Sequence, residues 1–145
     1  MENVLILGSG VSGIGACKLA IKQKLNIRVS DSNKILKKNK VLFQKFNIFW
    51  EENQHSFSNL DWADYIIKSP GVSNQIDFIK TARSKKIPII SEIEFAYRYV
   101  NNSKIIAVTG SNGKTTTSQL IYYILKKSGF EVEICGNSFS SSFSE

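Results

Sequence analysis

Two short stretches of this sequence have the residue types and the spacing to hold phosphate. The first is Thr109-Gly-Ser-Asn-Gly-Lys-Thr-Thr116. Gly110 and Gly113 permit positive φ and close backbone approach, so the N–H groups of Ser111, Asn112 and Gly113 can converge on one anion. Lys114 stands where it can reach a β or γ phosphate, and the hydroxyl of Thr115 or Thr116 where it can ligate Mg²⁺. The spacing is GxxGKT, shorter between its glycines than the common GxxxxGK[ST]. A plain Gly-Asn turn would account for the glycines. It would not account for a lysine at a helix start, where a cation opposes the dipole unless an anion is present.

The second stretch is Gly8-Ser-Gly10-Val-Ser-Gly13, with Asp31 eighteen residues further on. This is the GxGxxG nucleotide fingerprint, in which the glycines allow a tight turn and close approach of a diphosphate. Gly10 is expected to adopt positive φ beside that diphosphate, and Asp31 to hydrogen-bond a ribose hydroxyl or a base edge. On glycines alone the ligand is as readily NAD as any other nucleotide. A tight turn plus an acid capping the next helix is the alternative. His55, the sole histidine, lies in Glu51-Glu-Asn-Gln-His-Ser56 and is expected in a surface loop without a chemical role. Cys17 and Cys135 have no metal-like or paired spacing, which fits reduced, buried thiols.

Such loops work only if strands and helices hold them. Asn3–Leu7 and Asn26–Asp31 read as strands, with a helical pattern over Ala16–Lys24 between them. The rhythm continues through a helix at Leu36–Phe46, a strand at Ile48–Trp50 and another at Ala63–Lys68 ended by Ser69-Pro-Gly71. A helix at Ile76–Lys85 and a strand at Ile87–Ile90 follow. Ser91-Glu-Ile-Glu94 is a capping-box start to a helix reaching Val100. Asn101–Ser103 reads as a linker, Lys104–Thr109 as a buried strand, and Thr115–Lys127 as a helix with lysines in its last turn. The expected class is α/β: a Rossmann-like doubly wound parallel sheet over residues 1–100, then the incomplete start of a P-loop α/β domain over 101–145.

Composition limits the choices. With 42% hydrophobic and 21% charged residues, the chain has the make-up of a globular domain, and no stretch suggests a signal peptide or membrane span. The expected location is cytoplasmic, without membrane association. The net charge of +7 comes from lysines such as those of Lys34–Lys40 and Lys126–Lys127. These alternate with helical apolar positions instead of stacking aromatics, which argues for a solvated face and against nucleic acid.

Together, the N-terminal glycine loop, the acid after the second strand, Ser69-Pro-Gly-Val72, Ser91-Glu-Ile-Glu94 and Thr109–Thr116 resemble the Mur ligases of peptidoglycan synthesis, in family order from about residue 3 to about residue 137. The Gly-Ser-Asn-Gly-Lys and Ser-Pro-Gly elements look most like the D-glutamate-adding branch. The resemblance implies that the first loop binds the UDP end of UDP-N-acetylmuramoyl-L-alanine instead of NAD. Val11 and Ser12 would contact the diphosphate; Asp31, Ser32 and Asn33 would lie near the uracil or ribose, and Gly71 would line the pocket. Gly8, Gly10, Gly13 and Asn137 complete that set. Asn33 stands where the family often has a basic residue, which Lys34 would replace. The resemblance further implies ATP on Gly110, Ser111, Asn112, Gly113, Lys114, Thr115 and Thr116, with Mg²⁺ and D-glutamate as the other participants. Lys114 would stabilise the transferred phosphate. The family's remaining metal ligands and its C-terminal domain are expected beyond residue 145, and the family pattern is left after Asn137. The serine-rich tail, Ser138–Glu145, has little strand or helix logic. A chain that binds nucleotide without turnover is therefore expected, monomeric as a full enzyme but prone to self-association as a fragment. A stand-alone UDP-sugar-binding module is the other expectation.

Overall fold

The computed structural model describes residues 1–100, 103–136 and 141–144. A five-stranded sheet comprises β1 (Asn3–Leu7), β2 (Asn26–Asp31), β3 (Phe49–Glu52), β4 (Tyr65–Lys68) and β5 (Ile89–Ser91). Its order is β3-β2-β1-β4-β5 and every pairing is parallel, as expected. Helices α1 (Val11–Lys22), α2 (Lys37–Lys45), α3 (Ser58–Trp62) and α4 (Asp77–Ser84) form the crossovers. Then come α5 (Glu92–Tyr97) and, after the second glycine loop, α6 (Lys114–Lys127).

Alternation along each strand divides the core in two. Val4, Ile6, Val29 and Ile67 face one way, against Ala16, Cys17 and Ala20 of α1, Phe43 of α2 and Phe95 of α5. Leu5, Leu7 and Ile66 face the other way, against Leu60 of α3 and Phe78, Ile79 and Ala82 of α4. Covered on both sides, β1 reads from Val4 to Leu7 as an unbroken apolar run, the usual pattern of a central parallel strand. Cys17 is wholly buried as expected, and burial pushes its thiol up to about 12. Cys135 is half-buried and lies in no strand.

The helix ends show a device that the sequence reading passed over. Lys24, Asn47 and Lys86 each take positive φ, and the next residue donates its N–H five residues back: Leu25 to Ala20, Ile48 to Phe43 and Ile87 to Ala82, at 2.9–3.0 Å. This is the Schellman closure. It stops α1 at Lys22, short of the Lys24 expected, and returns an apolar residue to the sheet each time. The start of α1 is also earlier than expected, because Val11, Ser12 and Gly13 already belong to the helix. α3 has only five residues and was not anticipated. β3, β4 and β5 are each displaced by one or two residues from the expected spans, and α5 ends at Tyr97, short of Val100. Ser91 does cap α5, accepting from the Glu94 N–H at 3.1 Å, while the Glu94 carboxylate turns to Arg98 at 3.6 Å.

Beyond residue 102 the expectations fare unevenly. α6 forms over nearly the expected span, but Lys104–Thr109 is not a strand. A strand needs a ladder partner, and no neighbouring strand reaches this run among the described residues. Nothing on α6 is buried, and Leu120, Tyr123 and Ile124 are each more than half exposed. The described tail residues, 141–144, form no strand or helix, as expected; Ser142 and Ser144 are nonetheless buried, and the Ser144 N–H donates to the Glu92 carboxylate at 2.6 Å. The expected linker residues Asn101 and Asn102, and the expected ligand residue Asn137, lie outside the described residues.

Candidate functional site

In this strand order the chain leaves β1 for β2 and β3 on one side, then returns to place β4 on the other. The chain therefore leaves β1 and β4 towards opposite sides, and the carboxyl ends at such a switch are the usual ligand position in doubly wound sheets. Two loops border it: Gly8–Gly10 after β1 and Ser69–Val72 after β4.

The three fingerprint glycines do different things. Gly8 has φ +90°, and a Cβ there would lie 2.9 Å from both Cβ and Oγ of Ser69. Gly13 lies so close under the strand end that a Cβ would stand 1.8 Å from the Gly8 carbonyl oxygen. Gly10 does not have the positive φ expected of it. Its φ is −72° with ψ −166°, and an added Cβ would meet nothing within 4 Å. The left-handed turn falls at Gly8 because the chain must reverse directly off the end of β1. The space in front of Gly10, which any side chain would enter, is open, so a ligand can approach the loop backbone there. α1 starts behind it with no side-chain cap on its first N–H groups. Gly71 is similarly open, with nothing within 4 Å of its Cβ position.

Asp31, at the tip of β2, works within the protein. Its Oδ2 accepts the Ser9 N–H and the Ser9 hydroxyl, each at 2.7 Å, and its Oδ1 accepts the Asn33 N–H at 2.9 Å. Burial raises its pKa, but these hydrogen bonds outweigh burial and leave the carboxyl below its ordinary value. Asn39 of α2, itself buried, donates from Nδ2 to the Ser9 carbonyl at 3.0 Å. Neither Ser9 nor Asn39 was singled out from the sequence. Ser9 stood between the glycines in plain view, whereas the Asn39 contact spans thirty residues and has no local signature. Asn33 is exposed, and Lys34 lends its charge to Glu52, which Lys40 and the Ile35 N–H bind at 2.8 Å.

His55 departs from the surface position expected of it. It is half-buried, with Nδ1 2.6 Å from the Ser30 Oγ and its ring 5.4 Å from that of Phe78. Burial lowers its pKa, against the opposing charges of Glu51 and Asp31. The buried Glu51 Oε1 gathers Ser30 Oγ, the Ser56 N–H and Asn59 Nδ2 at 2.7–2.9 Å. A charged group this deep must be paired or hydrogen-bonded, so a polar stretch that reads as surface loop folds inward beneath the tip of β2.

At the second loop, Gly110 has φ +147° and Gly113 φ +74°, as their spacing required. The Lys114 ammonium curls back onto the carbonyls of Gly110 and Ser111, at 2.5 and 3.2 Å. Both the uncapped N-terminus of α6 and this lysine suit a phosphate, which would take the ammonium from the carbonyls. No group of three or more metal-ligating side chains gathers among the described residues, and none of their helices is long and apolar enough to cross a membrane. A cavity of about 510 Å³ adjoins the second of the loops that border the switch, lined by Lys68 and Pro70 together with Arg83 and Ile89.

Comparison with known proteins bears on both loops. Residues 2–91 match the Mur ligase MurD-like N-terminal domain, and residues 108–144 match the Mur ligase middle domain. The chain is 45% identical over 137 residues to the UDP-N-acetylmuramoylalanine–D-glutamate ligase of Bacteroides fragilis, covering 94% of this chain and 31% of that protein. The ligase of the same name from Thermoanaerobacter pseudethanolicus is 37% identical over 138 residues, with 30% of it covered. The chain thus spans about a third of the length of these relatives. Among solved structures, a murein peptide ligase from Psychrobacter arcticus superposes with a TM-score of 0.64 at 25% identity, over 89% of this chain and 27% of that one. A pseudomurein peptide ligase type C from Methanothermus fervidus gives 0.60 at 26% identity, over 93% and 29%.

Proposed function

The chain belongs to the Mur ligase family, and from that premise we propose that it carries the UDP-sugar site and the ATP loop of a ligase joining D-glutamate to UDP-N-acetylmuramoyl-L-alanine. The observation that carries this reading is the open space at Gly10, set before the uncapped start of α1 at the carboxyl ends of β1 and β4. No atom lies within 4 Å of the position a Gly10 Cβ would take, which leaves the loop backbone open to a diphosphate. Residues 1–100 act as the UDP-sugar-binding domain and residues 101–145 as the opening of the ATP-binding central domain. Val11 and Ser12 offer N–H groups to the diphosphate, and Asp31 to Asn33 and Gly71 border the uridine. The commitment of Asp31 to Ser9 favours backbone contacts at the tip of β2 over a ribose held by the carboxylate.

On the second loop, Ser111 to Lys114 hold the phosphates of ATP, and Thr115 or Thr116 ligates Mg²⁺. The ion supplies charge neutralisation on the phosphoryl group. The chemistry of the reading is transfer of the γ-phosphoryl group to the substrate carboxylate, then attack by the amine of D-glutamate, releasing phosphate and forming the amide. Lys114 contributes electrostatically once it leaves the Gly110 and Ser111 carbonyls. We assign binding without turnover to this 145-residue chain. Among the described residues, its phosphate loop is backed by an unpaired run at Lys104–Thr109 and by a helix with no buried residue, without the rigid support that in-line transfer requires. Calorimetric titration should show binding of UDP in preference to NAD. An ADP-release assay with ATP, the UDP-sugar and D-glutamate should stay at background. NAD binding without UDP binding overturns the ligand reading. Turnover abolished by Lys114→Ala overturns the assignment of an inactive chain.

A further inference from the structure

We propose that Asn39 is a positioning residue of the nucleotide site, aiming the backbone of the glycine loop from a helix that does not touch the ligand. The inference rests on the reading of the first loop as a UDP site. Ser9 is buried, and its three polar groups are all held from outside the loop: N–H and hydroxyl by Asp31, carbonyl by Asn39. The peptide joining Ser9 to Gly10 is planar and trans, so its carbonyl and the Gly10 N–H point in opposite directions. Anchoring the carbonyl to α2 therefore turns the Gly10 N–H away from α2. Glycines flank Ser9 on both sides, and without the anchor that peptide plane would rotate at small cost. The bond at Asn39 thus does work that no side chain of the loop can do.

The lever itself is rigid. One turn beyond Asn39, Phe43 is fully buried in the core. At the head of α2, Lys40 pairs with Glu52 of β3 at 2.8 Å, and the Ile35 N–H binds the same carboxylate. Asp31 closes the circuit by bonding both Ser9 and Asn33. The diphosphate half of the site and the tip of β2 are in this way one mechanical unit, tied through Ser9.

UDP titration of the 145-residue chain by calorimetry tests the inference, with amide NMR of Gly10 alongside. Asn39→Leu is expected to weaken UDP by about tenfold, as loss of one oriented buried hydrogen bond implies, and to shift the Gly10 amide signal. Asn39→Asp keeps the side chain's shape without an N–H to give, and serves if the leucine variant does not fold; it is expected to lose affinity likewise. Ile79→Val in α4, within the core cluster on the other face of the sheet, lowers stability by emptying core volume, but should leave affinity within about twofold and the Gly10 signal in place. Wild-type binding that persists unchanged in both Asn39 variants overturns the inference and spares the UDP reading. Equal weakening by Ile79→Val also overturns it, since general loosening would then be the cause. A wild-type chain that ignores UDP removes the reading and the inference with it.

Discussion

Individual residues in the first loop are constrained by distances of tenths of an ångström, and substitutions there should separate sharply. A methyl group at Gly13 meets a backbone oxygen at 1.8 Å, which only movement of α1 or β1 can relieve. Gly13→Ala should therefore cost about 1–3 kcal/mol or more in urea unfolding, the range of overpacked cores. Gly10→Ala, facing open space with negative φ, should unfold within about 0.5 kcal/mol of wild type yet bind UDP more weakly, because the methyl enters the space proposed for the diphosphate. A Gly10→Ala chain that binds UDP normally would move the diphosphate elsewhere. Asp31 gives a pH signature. Its folded pKa lies below the unfolded one, so its stabilisation is present above about pH 3.9 and is lost as pH falls through the lower, folded value. The stability gap between wild type and Asp31→Ala should be widest near neutrality and close progressively under acid. A gap that does not change with pH would show that Asp31 is not ionised in its bonds to Ser9.

Elements are terminated more than they are started by local sequence. Lys24, Asn47 and Lys86 hold left-handed conformations at helix ends where glycine is the usual choice. Asn tolerates this region; lysine bears a strain of about 1–2 kcal/mol, offset in a glycine variant by backbone entropy of about 0.5–1 kcal/mol. Lys86→Gly should consequently stabilise the chain slightly, read as a raised Tm, whereas Lys85→Gly, where φ is −79°, should lower it. A lower Tm for both would mean that the side chain of Lys86 contributes more than its backbone costs. The same closure ends α6, where Gly129 has φ +84° and the Phe130 N–H returns to Leu125 at 3.1 Å. There the apolar residue delivered by the turn, Phe130, stays 63% exposed. Identical local machinery ends in a core in one case and in water in the other.

For the whole molecule, that contrast predicts two levels of protection. Amides of β1, β2 and β4, whose side chains fill both core clusters, should exchange through global unfolding. Amides of 104–136 should exchange by local opening at rates far faster, consistent with the proposed division near residue 101. Equal protection across both regions would contradict it. The exposed Ile106, Leu120, Tyr123, Ile124 and Phe130 should also make the chain associate with increasing concentration in sedimentation experiments. By itself the sequence determined the alternating parallel architecture, the two glycine loops and the positive φ of Gly110 and Gly113. Periodicity and glycine spacing are local codes, readable wherever the next few residues decide the conformation. Only the tertiary structure decided that Gly8 and not Gly10 makes the turn, and it adds a second constraint there, because Ser69, in the loop after a strand some sixty residues away, leaves no room for a Cβ at Gly8. It likewise decided that His55 turns inward to Ser30, that Asn39 reaches Ser9, and that Lys104–Thr109, apolar enough for a strand, is not one. Each of these depends on a partner from another element, and a sequence pattern states what a segment can pair with but not whether the partner is there.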